Sequence, residues 1–194
     1  MTGRNDIAVL RIELENIEPV IWRRVAVRTS INLKALHSVI QAAMGWLDCH
    51  LWEFTAGELK FGMLLPNDPD WNERIENAVK TKLSALLNGG VREIGYVYDM
   101  GDNWQHRVFV EKLNTAETGA LYPRFLGGER RCPPEDCGGM PGYYEFLSNI
   151  ASKQNKKRKA ALDRYGAPCD PDQIDEQQII AALDRIAHMR RPAR

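Results

Sequence analysis

The order of strand-like and helix-like segments constrains the fold of this chain more than any other feature. Strand patterns fill most of the chain up to residue 112, with one clear helix among them, and helical periodicity dominates from Tyr143 onward. Strands that come first and helices that come last favour α+β over a doubly wound parallel fold. We therefore predict an α+β fold in which a curved antiparallel sheet packs against helices and the C-terminal region is helical.

Two pairs of strands are the main evidence for the sheet. Residues 7–15 and 20–27 are rich in β-branched side chains and are separated by a short turn containing a proline. Residues 94–99 and 104–112 form a second hairpin pattern around Gly101 and two polar turn residues. Alternation along the last strand places His106 on the same face as its apolar neighbours.

Helical segments are indicated by capping residues and by periodicity. Ser30 or Asn32 can cap a helix that ends at Gly45. Later segments predict a helix ending at Gly166 and an amphipathic helix over 174–189. The apolar stripe of the last helix can dock either on its own core or on a second subunit, so a homo-oligomer stays open.

Composition excludes few functions, but it indicates the cellular compartment and the redox state of the thiols. Lys plus Arg and Asp plus Glu are 26 each, so no global field attracts nucleic acid or anionic lipid. No segment has the length and apolarity of a bilayer span, and the N-terminus lacks the layout of a signal peptide. Four cysteines are too few for a disulfide scaffold. We expect a soluble cytoplasmic protein without a membrane partner and with reduced thiols.

Two thiols lie in a loop rich in glycine and proline, CPPEDCGGMPG. Cys132 and Cys137 can face one point, and His50 and His106 lie on or beside strands that the loop can cover. Two sulfur and two nitrogen ligands suit tetrahedral zinc, which would be structural if the protein supplies all four. The alternative is that both thiols are small half-buried residues and that His106 bonds within its hairpin.

The same thiols suggest a second, enzymatic alternative. Cys137 with His106 and either Asp102 or Asp136 would be the minimum for a thiol-dependent hydrolase or transferase. No motif of the esterase, metalloprotease or P-loop classes accompanies them. An enzyme is therefore the less favoured class.

A basic run near residue 155 suggests a nucleic-acid partner. The sequence KQNKKRK carries five positive charges in seven residues, enough for a phosphate-facing patch if it lies on a helix. A solvated helix face is the alternative. The candidate DNA-contacting residues are Lys153, Lys156, Lys157, Arg158 and Lys159.

Four segments together resemble the plasmid pRiA4b ORF-3-like family, which includes insertion-element proteins labelled TnpR. They are PVIWRRVAV (19–27), LHSVIQAAMGWLDCHLWEF (36–54), YVYDMGDNWQHRVFVEK (96–112) and YPRFLGGERRCPPEDCGGMPGYYEFL (122–147). The length of 194 residues predicts one domain over 1–194. The resemblance implies a family core over 7–150, followed by a helical extension over 151–194. The family often reads HLHEF where this chain has Trp52 as the third residue, so no imidazole is available there.

The label TnpR invites a resolvase activity, which the residues do not favour. Ser30 is the first serine, and alternation sends Arg23 and Arg24 to opposite faces instead of clustering them around a nucleophile. We therefore predict a non-catalytic binding or accessory module. The resemblance alone implies its association with mobile elements.

Overall fold

The computed structural model describes residues 6–165 and 170–189, and its centre is one open eight-stranded sheet. The strand order is β5-β4-β3-β6-β7-β1-β2-β8. All neighbours are antiparallel except β4 and β5, which pair in parallel over two residues. The strands are β1 (Ile7–Leu14), β2 (Ile21–Arg28), β3 (Trp52–Ala56), β4 (Leu59–Gly62), β5 (Glu76–Asn77), β6 (Glu93–Tyr98), β7 (Trp104–Asn114) and β8 (Arg124–Glu129).

The described helices lie between and after these strands. They are α1 (Leu33–Met44), α2 (Pro69–Arg74), α3 (Leu83–Asn88), α4 (Gly139–Ala151), α5 (Asn155–Tyr165) and α6 (Glu176–Met189). The Asn32 side chain accepts a 2.9 Å bond from the Ala35 N–H group, and Gly45 ends α1 in the left-handed conformation, with φ of 87°. Within these residues, every helix is too short or too polar to span a bilayer.

The two faces of the sheet differ in chemistry. Along β1, Leu10 and Ile12 are fully buried and belong to one apolar core with residues of α1. Arg11, on the opposite face, packs its guanidinium over the ring of Trp22 at 4.1 Å. Ion pairs between strands, such as Arg24 with Glu111 and Arg107 with Glu93, lie on the same face as Arg11. That face is therefore charged, while the other face holds the core.

The α+β prediction is confirmed, although the sheet is mixed and not purely antiparallel, because β4 and β5 pair in parallel. In β7, Trp104, His106 and Val108 are buried together, as alternation predicts. The sequence analysis missed α2, β5 and β8. In β8 two glycines at the point of pairing with β2 weaken any strand pattern, and the register shifts beside them.

The last helix docks on its own chain. Ile179, Leu183 and Ala187 of α6 are buried, and the helix lies against α1 and β8. Of the two alternatives for its apolar stripe, the structure therefore shows packing on the chain's own core. The predicted end of α5 at Gly166 lies outside the described residues.

Candidate metal centre

One imidazole nitrogen faces three carboxylates where the segment between α1 and β3 meets the end of β6. The Nε2 atom of His50 lies 3.1 Å from Asp136 Oδ1, 3.5 Å from Asp99 Oδ2 and 3.9 Å from Glu135 Oε2. The four side chains come from three segments that are far apart in sequence. We call them the His50 cluster.

Backbone geometry aims two of the acids. Asp99 follows β6 directly and Asp136 lies in the loop between β8 and α4, and both have a positive φ, of 56° and 54°. Aspartate tolerates this left-handed conformation better than most residues, because its short side chain bonds locally. Each positive φ turns the chain sharply at the position where a carboxylate joins the cluster.

Hydrogen bonds fix one oxygen of two carboxylates and leave the other for the cluster. Asp99 Oδ1 accepts bonds of 2.9 and 3.2 Å from two backbone N–H groups of the following turn. Glu135 Oε1 accepts bonds from the Leu47 N–H group at 2.7 Å and the Tyr98 hydroxyl at 3.0 Å. Such outer bonds orient ligand groups in metal sites.

Tyr98 supports the same cluster as a neutral donor. Burial raises the pKa of Tyr98 well above its ordinary value, which keeps its hydroxyl proton available for Glu135. The Cys49 sulfur lies 3.6 Å from that hydroxyl. Possible ligand atoms of Cys49, His50 and Glu135 also lie within 4.8 Å of one another, so a thiol adjoins the carboxylates.

The Nε2 atom of His50 lacks a hydrogen-bond partner among the described residues. This atom is buried and makes no hydrogen bond of acceptable geometry with any residue that the structure describes, although Asp136 lies 3.1 Å away. Ligand bonds of about 2.0–2.2 Å would place neighbouring ligand atoms about 3.0–3.6 Å apart around one ion. The separations from Asp136 and Asp99, 3.1 and 3.5 Å, match that spacing, whereas Glu135, at 3.9 Å, groups with Cys49 and His50 and not with the two aspartates.

His106, which the sequence predicts as a metal ligand, lies in the core. Its Nδ1 atom is 3.2 Å from the Tyr96 carbonyl on the paired strand β6, and its ring packs against the edge of Trp46. Burial lowers the pKa of His106 to about 4, so the ring is neutral. The bond to β6 is the within-hairpin arrangement that the alternative interpretation describes.

The two predicted cysteine ligands have separate surroundings. The Cys132 sulfur lies 3.3 Å from the Met44 sulfur and 3.5 Å from Arg23 Nη2, whereas the Cys137 sulfur contacts the Gly139 carbonyl at 3.9 Å. Among the described residues, groups of at least three close ligand atoms are Cys49, His50 and Glu135, and His50, Asp99 and Asp136. His50 alone of the four predicted ligands belongs to such a group.

The environment of the thiols disfavours the thiol-enzyme alternative. Burial raises the pKa of Cys137 to about 12, and the charge of Asp102 adds to the shift. Burial also raises the pKa of Cys132 above its ordinary value. A thiol must ionise to attack a substrate, and both sulfurs are protonated at neutral pH.

The basic run is exposed on and beside α5. Lys156, Lys157, Arg158 and Lys159 are all exposed on the helix, and Lys153 is exposed just before it. Consecutive helical residues turn by about 100°, so the four helical cations surround α5, and Lys156 shares a face with Lys159. DNA contact at this run stays a prediction.

A buried histidine that the sequence analysis overlooked forms a second polar network. His37 is completely buried and stacks on Trp52 with ring centroids 4.2 Å apart. Its Nδ1 atom is 2.8 Å from the Tyr96 hydroxyl, and its Nε2 atom is 2.6 Å from Asp48 Oδ1. Burial lowers the pKa of His37 to about 4, so a neutral Nε2–H donates to the Asp48 carboxylate and the contact is not a full ion pair.

The acids of the His50 cluster were also missed as ligands, although the sequence holds signals for them. Glu135 and Asp136 stand between the two cysteines, and Asp99 ends the first strand of the strongest hairpin pattern. Only the pairing of β3 with β6, which brings residue 98 opposite residue 52, places Asp99 near His50.

Three comparisons with known proteins give consistent results. The family model for plasmid pRiA4b ORF-3-like protein matches residues 6–178. A protein of Sinorhizobium fredii (strain NBRC 101917 / NGR234), named uncharacterized protein y4hQ, is 36% identical over 180 residues, which cover 92% of this chain and 91% of the relative. The crystal structure of a protein of unknown function, MM3350, from Methanosarcina mazei Go1 matches with a TM-score of 0.79 and 32% identity, over 88% of this chain and 96% of that one. The family model and both similar proteins agree over most of the chain, and the chain belongs to the plasmid pRiA4b ORF-3-like family.

Proposed function

We propose that this protein is a non-catalytic binding module that holds one divalent transition-metal ion in the His50 cluster. The observation that carries the proposal is the approach of Asp99 and Asp136 oxygens to the buried Nε2 atom of His50, which has no hydrogen-bond partner among the described residues. Ligand atoms of these three residues all lie within 4.8 Å of one another. A cation would supply the bond that Nε2 lacks. Its charge would also offset the negative charges of Asp99 and Asp136, which lie together beside His50.

The donor set indicates which ions suit the site. One imidazole with carboxylate oxygens suits Zn²⁺ and also accepts Mn²⁺, whereas Ca²⁺ and Mg²⁺ prefer oxygen ligands alone. The side chain of Asp136 is 72% exposed, so water can complete the coordination. The adjacent Cys49 thiol would favour zinc if it replaced a water ligand.

A bound ion would link segments that are far apart in the sequence. It would tie the loop that carries Glu135 and Asp136 to the end of β6 and to the segment before β3. Because the unfolded chain does not hold these groups together, metal affinity becomes folding free energy. The ion would therefore stabilise the loop between β8 and α4.

Two narrower parts of the functional hypothesis stay predictions. The link to mobile elements rests on the family description. A DNA partner rests on the exposed charges of α5. Neither is needed for the metal proposal.

Metal titration of chelator-stripped protein tests the proposal. We expect one Zn²⁺ to bind per chain in calorimetry and to raise the thermal midpoint by about 5–10 °C at an excess of about 100 times Kd. Asp136→Asn and His50→Gln should each weaken binding by about tenfold or more, since each removes a ligand.

The matched control is Asp70→Asn, the same chemical change at an exposed residue of α2. It should leave zinc binding unchanged. Absence of stoichiometric binding to the stripped parent, or equal binding by the parent and both ligand variants, would overturn the metal site.

A further inference from the structure

A second site lies next to the His50 cluster, in a cavity of about 530 Å³ between the end of α1, the loop before α4, and α6. Its volume is in the range of small-molecule pockets, which is about 300–1,000 Å³. Four of its lining residues are arginines: Arg23, Arg131, Arg164 and Arg185.

Arg23 is the most informative of these residues because it is 2% exposed. Its Nε atom donates to the Ala43 carbonyl at 2.9 Å, and Nη1 donates to the carbonyls of Trp22 and Glu129 at 2.8 and 2.9 Å. Among the residues that the structure describes, the one hydrogen-bond partner of its Nη2 atom is the Cys132 sulfur, at 3.5 Å. Within residues 6–165 and 170–189, no carboxylate pairs with this buried guanidinium.

A buried charge is expensive unless an opposite charge or strong hydrogen bonds compensate it. The neutral carbonyls satisfy Nε and Nη1, but a thiol is a weak acceptor, and Nη2 is the end of the guanidinium with the poorest partner. The cavity that Arg23 lines is where a compensating anion would fit.

The rest of the cavity wall supports an anionic ligand. Arg131 and Arg185 form no ion pair with any carboxylate of the described residues. The wall also holds two acids, but both are engaged. Glu135 binds Leu47 and Tyr98 through one oxygen and faces His50 with the other, while Asp175 caps α6 by accepting a 2.9 Å bond from the Gln178 N–H group.

We infer that this cavity binds a small organic anion through a phosphate or carboxylate group. Arginine suits such groups because its planar guanidinium donates two parallel bonds to them. Trp46, Met44 and Ile179 supply apolar surface for the remainder of the ligand. The inference is independent of the metal proposal, since Arg23 and α6 supply the site and no metal ligand is required.

Binding of defined anions to the chelator-stripped full chain tests this inference. The probes are citrate and adenosine 5′-monophosphate, which differ in the source of the anionic group, and adenosine is the neutral comparison. We expect at least one anion to bind saturably and to raise the thermal midpoint, with an effect that falls as salt rises. The double variant Arg131→Gln/Arg185→Gln should bind that anion about tenfold or more weakly.

The matched control is Lys156→Gln/Lys157→Gln, which removes two exposed charges from α5. It should keep the parental affinity. No saturable binding of either anion up to about 10 mM would overturn the inference. Equal losses in the two double variants would also overturn it, because they would indicate unspecific attraction by charge. Arg23→Lys retains the buried charge but loses the planar guanidinium with its two parallel donors. If this variant folds as the parent does, it should bind the anion more weakly than the parent.

Discussion

At the scale of single residues, Gly142 shows how tightly the loop before α4 folds onto its helix. A Cβ atom on this residue would lie 1.7 Å from the carbonyl oxygen of Cys137. That carbonyl belongs to backbone, so it cannot move aside as the end of a flexible side chain could. Glycine is therefore required here for close approach, and it keeps the loop with Glu135 and Asp136 in place.

We predict that Gly142→Ala lowers the free energy of unfolding by about 1–3 kcal/mol, because the added methyl group forces the loop and α4 apart. Urea unfolding of the parent and the variant would measure the change. Gly89→Ala is the control, since the nearest atom to its Cβ would be a carbonyl oxygen at 3.4 Å, an ordinary contact. Equal stability of the parent and the Gly142 variant would contradict the prediction.

The residue scale also shows where prediction from sequence ended. The sequence predicts His50 as a candidate ligand, and it marks the loop that approaches His50 by its glycines and prolines. The carboxylates near His50 were not predictable from the sequence. Strand pairing brings Asp99 close to His50, and hydrogen bonds from Leu47 and Tyr98 hold Glu135 there. No spacing along the chain encodes those contacts.

At the scale of elements, α6 is part of the core and not a separate appendage. Leu183 is 1% exposed and belongs to the same apolar cluster as the buried residues of α1 and the sheet. The helix also supplies one wall of the cavity through Gln178, Ile179, Ala182 and Arg185. Loosening α6 would therefore affect both stability and the cavity.

We expect Leu183→Ala to destabilise the protein by about 2–5 kcal/mol, the usual cost of a buried leucine truncated to alanine. Chemical unfolding monitored by tryptophan fluorescence would measure it, because Trp46 lines the cavity beside α6. Ile180→Ala is matched on the same helix, where the side chain is 44% exposed, and it should cost much less. A comparable loss in both variants would show that α6 is not docked as described.

The accuracy of element prediction followed the strength of local signals. α1 has a capping asparagine, an apolar stripe and a terminal glycine, and its predicted limits agree with the structure. β5 has two residues and depends on its parallel partner β4, so no local pattern marks it. Elements that exist only through tertiary pairing are not recoverable from periodicity.

At the scale of the whole molecule, two buried histidines couple stability to pH. His37 and His106 each have a pKa near 4 in the fold, against 6.5 ordinarily, because burial disfavours the charged ring. The unfolded chain therefore binds protons that the fold does not as pH falls below about 6.5. This loss of stability begins near pH 6.5 and continues until the pH approaches 4.

We predict that unfolding free energy falls by about 1 kcal/mol per pH unit for each of these histidines over that window. Urea midpoints between about pH 6.5 and 5, in chelator, would measure the slope. His37→Gln should remove about half of the histidine contribution, whereas His188→Gln, at an exposed position of α6, should leave the slope as in the parent. An unchanged slope in the His37 variant would contradict this account.

The open sheet has two edge strands, and their geometry determines how readily a strand of another molecule could pair with the sheet. One border is the two-residue β5, and the other is β8, whose pairing with β2 is interrupted by a register shift and which lies against α6. A strand so short, or so irregular and covered, offers a poor template for a foreign strand. We therefore expect both edges to pair poorly with a strand of a second molecule.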